Sequence, residues 1–280
     1  MKIHLLILRI FGILLLVIAG KVTHGQTYQR IVSLNGSISE VLDGMGLARN
    51  IVAVDVTSDF PESIAKLPKV SKNRSLTIES IGSFRPDLVL ALKGEVSSEL
   101  QAQIKSLKIP IVMLNQDFTF AGLNQFILDV GKAVNQHQSA IQLSQKVKNE
   151  LNSLKGRSSN KGKKILFIYA RGAGYMSVAG QGTAIDAVIR DSGFQNAMKG
   201  FKGYKTYNTE ALVAANPDVI LLFDFGMSSL GGAQTILNLP GVKLTNAGKN
   251  KKIIAMDASL LNNYSLRLPQ AIGNLQKLVN

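Results

Sequence analysis

Two stretches of the chain, 131 positions apart, carry the same order of polar and apolar residues. Residues 79–90 align with 210–221 without a gap, and each stretch begins with a glutamate that opens an amphipathic helical run. Each run ends at a Pro-Asp pair that is followed by aliphatic residues. Because proline disfavours helix in the residue before it, and short apolar runs are typical of buried strands, each stretch predicts a helix followed by a strand of an α/β sheet.

The repeat extends to neighbouring elements. A Gly-Ser/Thr turn and a helical run to a glycine occur at 36–46 and again at 182–193, each after an apolar strand. Those strands are predicted at 30–34 and 164–169, and further strands at 109–114 and 253–256 come in the same order. Matching order indicates a duplicated lobe; the alternative is chance reuse of a common turn. Two lobes of open α/β sheet predict a ligand cleft between them.

Residues 123–154 have a different pattern, with no proline, one glycine and apolar residues at steps of three or four. This spacing predicts one long helix of about 45 Å. The expected fold is α/β, with two similar Rossmann-like lobes, 26–122 and 156–280, joined by a linking backbone helix at 123–155. A single helical link predicts a stiff cleft that closes only modestly.

The amino-terminal residues predict export. Lys2 and Arg9 precede an apolar run at 10–19 that is short for a membrane span, and small and polar residues follow it. This pattern is typical of a secretory signal peptide, here residues 1–25 with cleavage after Gly25; an uncut signal anchor is the alternative. Since no cysteine follows the run, we expect an exported protein without a lipid anchor.

The composition argues against several kinds of chemistry. The chain has no cysteine, which excludes disulfides, thiolate metal sites and a cysteine nucleophile. Two of its three histidines fall in the predicted signal, leaving His137 on an apolar face of the predicted helix, and one histidine cannot build a multi-histidine metal site. Neither a phosphate-binding loop nor a serine nucleophile turn is present, so we expect a protein that is not an enzyme.

The chain is strongly basic, with 32 Lys and Arg against 18 Asp and Glu. Such a charge is common in proteins that bind nucleic acid. Three features argue against that function here: the export signal, the absence of tryptophan, and the absence of a basic cluster interleaved with aromatic residues. A cleft that attracts an anionic ligand is the sharper interpretation, and a basic solubility shell is the alternative.

The loops at the carboxyl ends of the predicted strands hold the first binding candidates, because ligands of open α/β sheets lie there. Glycines in these loops let backbone N–H groups approach a flat or anionic ligand. The loops are 35–37 with Asn35 and Ser37, 57–58, 93–95 with Lys93, 171–175 with Arg171 and Tyr175, and 224–226.

Specific motifs indicate a family. They lie at 30–40, 54–61, 67–70, 74–76 and 83–90 in the first lobe, and at 180–187, 203–205 and 210–213 in the second. They resemble the helical-backbone class of ABC-importer substrate-binding proteins and, within it, the periplasmic hemin-binding proteins. The resemblance implies a monomeric periplasmic protein that binds heme as transported ligand and delivers it to the permease. A ferric-siderophore or cobalamin binder of the same fold is the alternative, followed by an exported heme chaperone or enzyme.

One position departs from the hemin subgroup. A tyrosine iron ligand commonly lies there two residues before the arginine equivalent to Arg74, and this chain has Lys72. A lysine can neutralise a propionate, but it must lose its proton to bind iron. Arg74 and Arg171 are the expected propionate partners, since guanidinium groups hold carboxylates bidentately. The candidate iron ligands are then tyrosines of the second lobe: Tyr175, Tyr204, Tyr207 and Tyr264.

Glu79 and Glu210 open the two repeated helices at equivalent places. The resemblance implies that acids at these positions meet arginines of the ABC permease transmembrane subunits. One charge from each lobe suits a two-fold partner. The alternative role is an acid that complements the helix dipole, and the two roles can coexist.

Overall fold

The computed structural model describes residues 27–71, 75–154 and 162–280. The predicted signal peptide, residues 1–25, lies outside this part of the chain. The strands are β1 (Ile31–Ser33), β2 (Ile51–Val54), β3 (Leu88–Leu92), β4 (Ile111–Leu114), β5 (Lys164–Ala170), β6 (Met176–Ala179), β7 (Gln195–Asn196), β8 (Tyr204–Thr206), β9 (Val219–Phe223) and β10 (Ile253–Met256).

Helices connect the strands and cover the sheets. The α-helices are α1 (Gly36–Gly44), α2 (Glu62–Ala65), α3 (Ile78–Gly82), α4 (Ser98–Ser106), α5 (Phe120–Ala133), α6 (His137–Leu154), α7 (Ala184–Asp191), α8 (Thr209–Ala215), α9 (Asp224–Ser229), α10 (Ala233–Leu237), α11 (Asn246–Lys249), α12 (Ala258–Asn262) and α13 (Leu268–Val279). Within the described ranges, none of these helices combines the length and apolar character that crossing a membrane requires.

The two sheets have the same strand order. In the N-terminal lobe the order is β2-β1-β3-β4, with every neighbouring pair parallel. In the C-terminal lobe the corresponding parallel neighbours are β7-β5-β9-β10. The α/β fold with two similar lobes is therefore confirmed, and the duplication extends to topology.

The C-terminal lobe also carries strands that have no counterpart in the described part of the N-terminal lobe. After β5 the chain turns back as β6, which pairs antiparallel with the end of β5, and β8 pairs antiparallel with β6. This addition extends the sheet at the end of β5, where the ligand cleft is expected.

The repeated Pro-Asp pair has a structural explanation. The helices α3 and α8 are capped by Thr77 and Asn208, whose side chains accept hydrogen bonds from backbone N–H groups three residues on. After the two Pro-Asp pairs, each aspartate carboxylate accepts a backbone N–H at the start of the first strand of its lobe. Asp87 accepts from Arg30 at 2.9 Å, and Asp218 accepts from Lys164 at 2.8 Å.

The prediction of one long helix over residues 123–154 is wrong. Helix α5 ends at Ala133, Asn135 has a left-handed backbone (φ 57°), and α6 begins at His137. The two helices form a hairpin in which Ser144 donates a hydrogen bond to Asn124. Gly131 permits their close approach, because a Cβ at that position would lie 2.3 Å from the Ala140 Cβ.

Helix α6 is the link that crosses between lobes, and it is shorter than predicted. Its 18 residues span about 27 Å. Leu143 packs beside Gly44 of α1 in the N-terminal lobe, whereas Leu154 lies near Gly273 of α13 in the C-terminal lobe. Helix α6 therefore contacts both lobes.

Candidate functional site

A cavity of about 630 Å³ lies between the lobes. The N-terminal lobe contributes the loop after β2. The C-terminal lobe contributes β5, the turn that follows it, β6, β8, the end of β9, and the helices α9 and α12 with Asn263. The lining residues are Val56, Thr57, Asp59, Tyr169, Arg171, Tyr175, Ser177, Tyr204, Phe223, Phe225, Ala258, Ser259, Asn262 and Asn263. The cavity is at the carboxyl ends of the parallel strands, as the topology predicts.

The turn between β5 and β6 brings a cation and an aromatic side chain to the cavity. Its backbone is closed by hydrogen bonds from Arg171 N to the Tyr175 carbonyl (3.0 Å) and from Tyr175 N to the Gly172 carbonyl (3.2 Å). Gly172 has a positive φ of 82°, which a side chain would disfavour. The glycine-rich run is thus a hairpin turn, and Arg171 and Tyr175 at its two ends both line the cavity.

Aromatic rings form a continuous cluster along the C-terminal wall. Tyr169 makes edge contacts with Tyr175, Phe223 and Phe225, with ring centroids 6.1, 6.1 and 5.9 Å apart. Phe223 and Phe225 are 5.4 Å apart. Tyr175 is 64% exposed, so a large apolar surface is open to a ligand.

Tyr169 and Arg171 form a pair within this cluster. The Arg171 Nε donates a 2.7 Å hydrogen bond to the Tyr169 phenol oxygen, and its guanidinium lies 4.9 Å from the Phe225 ring centroid. The remaining guanidinium N–H groups make no hydrogen bond within the described part of the chain. The pair therefore presents a phenol oxygen beside a fixed positive charge.

Tyr204 lines the same wall from β8. Burial raises the pKa of its phenol to about 12, with a smaller contribution from the neighbouring Tyr169. A raised pKa makes this phenol harder to deprotonate, and therefore a poorer anionic ligand, than a tyrosine with its ordinary pKa.

The N-terminal wall is made by a polar loop rather than by rings. Asp55 accepts hydrogen bonds from the hydroxyls of Thr57 (2.5 Å) and Ser58 (2.7 Å), which fixes the loop after β2. Gly36 at the start of α1 lies close to this loop, because a Cβ there would be 2.7 Å from the Thr57 carbonyl oxygen. This wall offers hydroxyl and carboxylate groups to the cavity.

Three predicted binding residues, Arg171, Tyr175 and Tyr204, come together at the cavity. Asn35, Ser37 and Lys93 do not line it. Asn35 caps α1 and donates hydrogen bonds to Glu95, and Ser37 is 2% exposed with its hydroxyl donated to the Asn263 carbonyl. Lys72 and Arg74 lie outside the described residues, so their roles stay predictions.

Two of the candidate iron ligands are placed elsewhere. Tyr264 is 1% exposed, and its hydroxyl donates a 2.6 Å hydrogen bond to Asp191 while its ring packs against Phe118. Tyr207 donates to the Pro240 carbonyl at 3.0 Å, and burial raises its pKa to about 12. The structure contradicts cavity roles for both, because their oxygens serve tertiary contacts.

Tyr169 and Phe223 are the aromatic cavity residues that the sequence reasoning missed, and Ser177 and the segment 258–263 were missed as well. Tyr169 ends the apolar strand run 164–169 and precedes Arg171 by two residues. A tyrosine at a strand end, followed by an arginine on the same face two positions later, was the available signal.

The two predicted docking acids occupy matching places. Glu79 is the second residue of α3 and Glu210 is the second residue of α8, and both are exposed. Each helix precedes the corresponding strand of its lobe, β3 or β9. The surface therefore carries one acid per lobe at positions related by the duplication.

Comparison with known proteins identifies the family. The model of the periplasmic binding protein family matches residues 31–260, which is most of the chain. The chain belongs to the periplasmic binding protein family.

Relatives of this periplasmic binding protein include transport proteins. The uncharacterized ABC transporter substrate-binding lipoprotein YvrC of Bacillus subtilis (strain 168) is 26% identical over 256 residues, 90% of this chain and 80% of YvrC. The vitamin B12-binding protein of Yersinia pestis (strain Pestoides F) is 29% identical over 146 residues, 51% of each chain.

Solved structures extend the likeness to heme-binding proteins. BhuT, a periplasmic heme-binding protein in complex with two hemes, is 31% identical with a TM-score of 0.85, covering 91% of this chain and 98% of BhuT. RhuT from Roseiflexus sp. RS-1 in apo form is 33% identical with a TM-score of 0.84 and the same coverage. HutB of Vibrio cholerae is 30% identical with a TM-score of 0.80, covering 89% and 98%.

Proposed function

We propose that this periplasmic binding protein captures heme in the cleft between its lobes and delivers it to an ABC importer. The observation that carries the proposal is the Tyr169–Arg171 pair, which lies among aromatic rings in the inter-lobe cavity. Its likeness at 30–33% identity to the heme-binding proteins BhuT, RhuT and HutB supports the same ligand.

The shape and polarity of the cavity suit a porphyrin. Heme has a flat, largely apolar porphyrin ring that carries two propionate carboxylates. The cluster of Tyr169, Tyr175 and Phe225 offers apolar faces and edges for the ring, and the volume of about 630 Å³ lies within the range of about 300–1,000 Å³ typical of small-molecule sites.

We assign the iron-ligand role to Tyr169. Phenolate is a known axial ligand of heme iron, and a guanidinium that donates to the same oxygen stabilises the negative charge that iron binding requires. The Arg171 Nε donates to the Tyr169 oxygen at 2.7 Å, whereas nothing comparable supports Tyr204, whose pKa is raised to about 12 by burial.

Cationic side chains are our proposed partners for the propionates. Arg171 keeps guanidinium N–H groups that make no hydrogen bond in the described ranges, and these can hold one carboxylate. Lys72 and Arg74 remain our proposal for the other carboxylate, because family motifs place them in the N-terminal lobe.

Cobalamin is the second candidate ligand, supported by the 29% identity to a vitamin B12-binding protein over about half of the chain. Titration of the purified protein with hemin, cobalamin and a ferric siderophore in turn, followed by visible absorption, separates the candidates. We expect a saturable Soret shift with hemin and weaker or no binding of the others. Tight cobalamin or siderophore binding without a hemin response would overturn the heme proposal.

We also propose the route that the protein takes. Residues 1–25 direct export to the periplasm and are removed, with no lipid anchor. Glu79 and Glu210 then dock the loaded monomer onto the transmembrane subunits. Two exposed acids at equivalent helix positions support a partner with two similar halves. Binding and release, rather than catalysis, are the proposed activity.

A further inference from the structure

A buried ion pair joins the two lobes beneath the cavity. Glu40, in α1 of the N-terminal lobe, is 3% exposed. Its Oε1 accepts hydrogen bonds from Arg267 Nη2 at 2.7 Å and Nε at 3.2 Å, and from Asn263 Nδ2 at 2.8 Å. Arg267 and Asn263 belong to the segment 257–267, which follows the last strand of the C-terminal lobe. One carboxylate oxygen therefore holds that segment against the other lobe.

A contribution to the stability of the fold does not explain why this ion pair is present. The second oxygen, Glu40 Oε2, is buried without a hydrogen-bond partner among the described residues. Leaving a buried polar atom unsatisfied costs about 1–3 kcal/mol, and replacing a buried ion pair by apolar residues is often neutral or stabilising. A buried ion pair that persists at such a cost is suited to specifying how two elements are placed.

Arg267 contacts both walls of the cleft. Its guanidinium carbon lies 3.6 Å from the ring centroid of Phe60, the neighbour of the cavity residue Asp59 in the N-terminal lobe. Its Nη2 also donates to Ser259 Oγ at 2.8 Å, and Ser259 lines the cavity from the C-terminal side. Movement of Arg267 would therefore displace both sides of the site.

Further hydrogen bonds fix the same segment on the N-terminal lobe. Ser37 Oγ and Gln116 Nε2 donate to the Asn263 carbonyl at 2.7 and 2.8 Å, and Ser265 Oγ donates to the Ser37 carbonyl at 3.1 Å. These bonds hold the backbone in place. The ion pair adds a charged contact that reaches the rim at Phe60.

We infer that Glu40 and Arg267 form an inter-lobe lock that sets the width of the ligand cleft. They act as positioning residues, through Asn263, Ser259 and Phe60, and neither lines the cavity. The inference rests on the proposed function only for its ligand readout, because lobe separation is measurable without any ligand.

The absence of cysteine makes the separation directly measurable. Gln103→Cys in α4 and Gln234→Cys in α10 place one spin label on each lobe at exposed positions. Distances by double electron–electron resonance are recorded for this labelled protein and for its Glu40→Gln version. We expect Glu40→Gln to broaden the distance distribution and to weaken hemin binding by at least about fivefold, the lower end of usual coupling between sites.

Two further variants make the test decisive. Glu62→Gln removes a charge from an exposed pair with Lys66 in the same lobe and should change neither readout. The double variant Glu40→Met with Arg267→Met removes the lock without an unpaired charge; it should fold and broaden the distribution even if Glu40→Gln does not fold. A narrow, unshifted distribution in a folded lock variant would overturn the inference. Failure of the parent protein to bind hemin would count against the heme proposal alone.

Discussion

The two lobes share a scaffold but differ in what they bring to the cleft. The order β2-β1-β3-β4 in one lobe recurs as β7-β5-β9-β10 in the other. Among the described residues, only the C-terminal lobe adds antiparallel strands, β6 and β8, and the turn and strands of this addition carry Arg171, Tyr175 and Tyr204. The duplicated unit therefore supplies the frame, whereas the addition supplies part of the cavity lining.

Charged side chains are also distributed unequally between the two lobes. Residues 26–122 contain ten basic and ten acidic side chains, whereas residues 162–280 contain thirteen basic and six acidic ones. An excess of positive charge in one lobe favours the approach of anionic ligands to that lobe. We therefore expect changes in the C-terminal lobe to dominate ligand binding, and changes at symmetric surface positions to dominate docking.

The largest expected effect concerns the exposed glutamate that each lobe carries at the start of its repeated helix. Changing Glu79 and Glu210 together to Lys should abolish hemin transport by the reconstituted importer, because both contacts with a two-fold partner become repulsive. Hemin affinity should stay the same. Glu99→Lys is the matched control, since Glu99 is also an exposed second residue of a helix. Normal transport by the double variant would leave the acids with only a helix-terminal role.

The next largest effect is expected from a change that is confined to the C-terminal lobe. Tyr169→Phe removes the proposed iron ligand and should weaken hemin binding by at least about 10–100-fold, the loss usual for changes around a metal site, and should alter the ferric charge-transfer bands. Absorption titration measures both. Tyr207→Phe makes the same chemical change in the same lobe outside the cavity, and its spectrum should match that of the parent. A parent-like Tyr169→Phe spectrum would move iron ligation to another group.

Removing one cationic side chain from each lobe compares the two walls of the cleft directly. Arg171→Ala should weaken hemin binding by about 1.5–3 kcal/mol, the range for hydrogen bonds to charged groups, because it removes the donor to Tyr169 and a propionate partner. Lys93→Ala, at a strand end of the N-terminal lobe but away from the cavity, should have little effect. Equal losses from both changes would contradict the assignment of ligand binding to the C-terminal wall.

A smaller effect tests the buried hydroxyl of Tyr264, which contacts Asp191 within the C-terminal lobe. Tyr264→Phe removes a buried hydroxyl that donates to Asp191 and should lower the free energy of unfolding by about 1.5–3 kcal/mol. Urea denaturation measures this loss. The spectrum of bound heme should not change, and an altered spectrum would return Tyr264 to the candidate iron ligands.

The smallest effect is a pH dependence at the inter-lobe lock. Desolvation raises the pKa of Glu40 above its ordinary value of 4.5, although Arg267 acts in the opposite direction. As the pH falls through this raised value, the folded protein takes up a proton before the unfolded chain does, so this group favours folding increasingly at lower pH.

Glu40→Gln removes that group. The unfolding free energy of the parent minus that of Glu40→Gln should therefore increase as the pH is lowered from about 7 to about 5. Urea titrations at both pH values measure the difference. A difference that decreases would show that Arg267 outweighs desolvation.

The repeated sequence pattern was sufficient to predict much of the fold. The helix, Pro-Asp and strand units occur in the predicted order, because proline disfavours helix in the residue before it. Asp87 and Asp218 add contacts to backbone N–H groups that lie 57 and 54 positions away along the chain. The break between α5 and α6 was missed, because the apolar steps continue through it. The folding of α6 back onto α5 depends on the close contact of Gly131 with Ala140, which is a tertiary contact.

For the candidate site, the motifs indicated the class of protein, and the strand pattern predicted the strand ends at which cavity residues gather, including Arg171 and Tyr175. Those features follow from periodicity, turn residues and motifs, which are local properties of the chain. Only the tertiary structure decided which tyrosines face the cleft, taking Tyr264 into the core and bringing Tyr169 beside Arg171. The lock of Glu40 and Arg267 joins residues 227 positions apart, and such a contact exists only once both lobes have packed together.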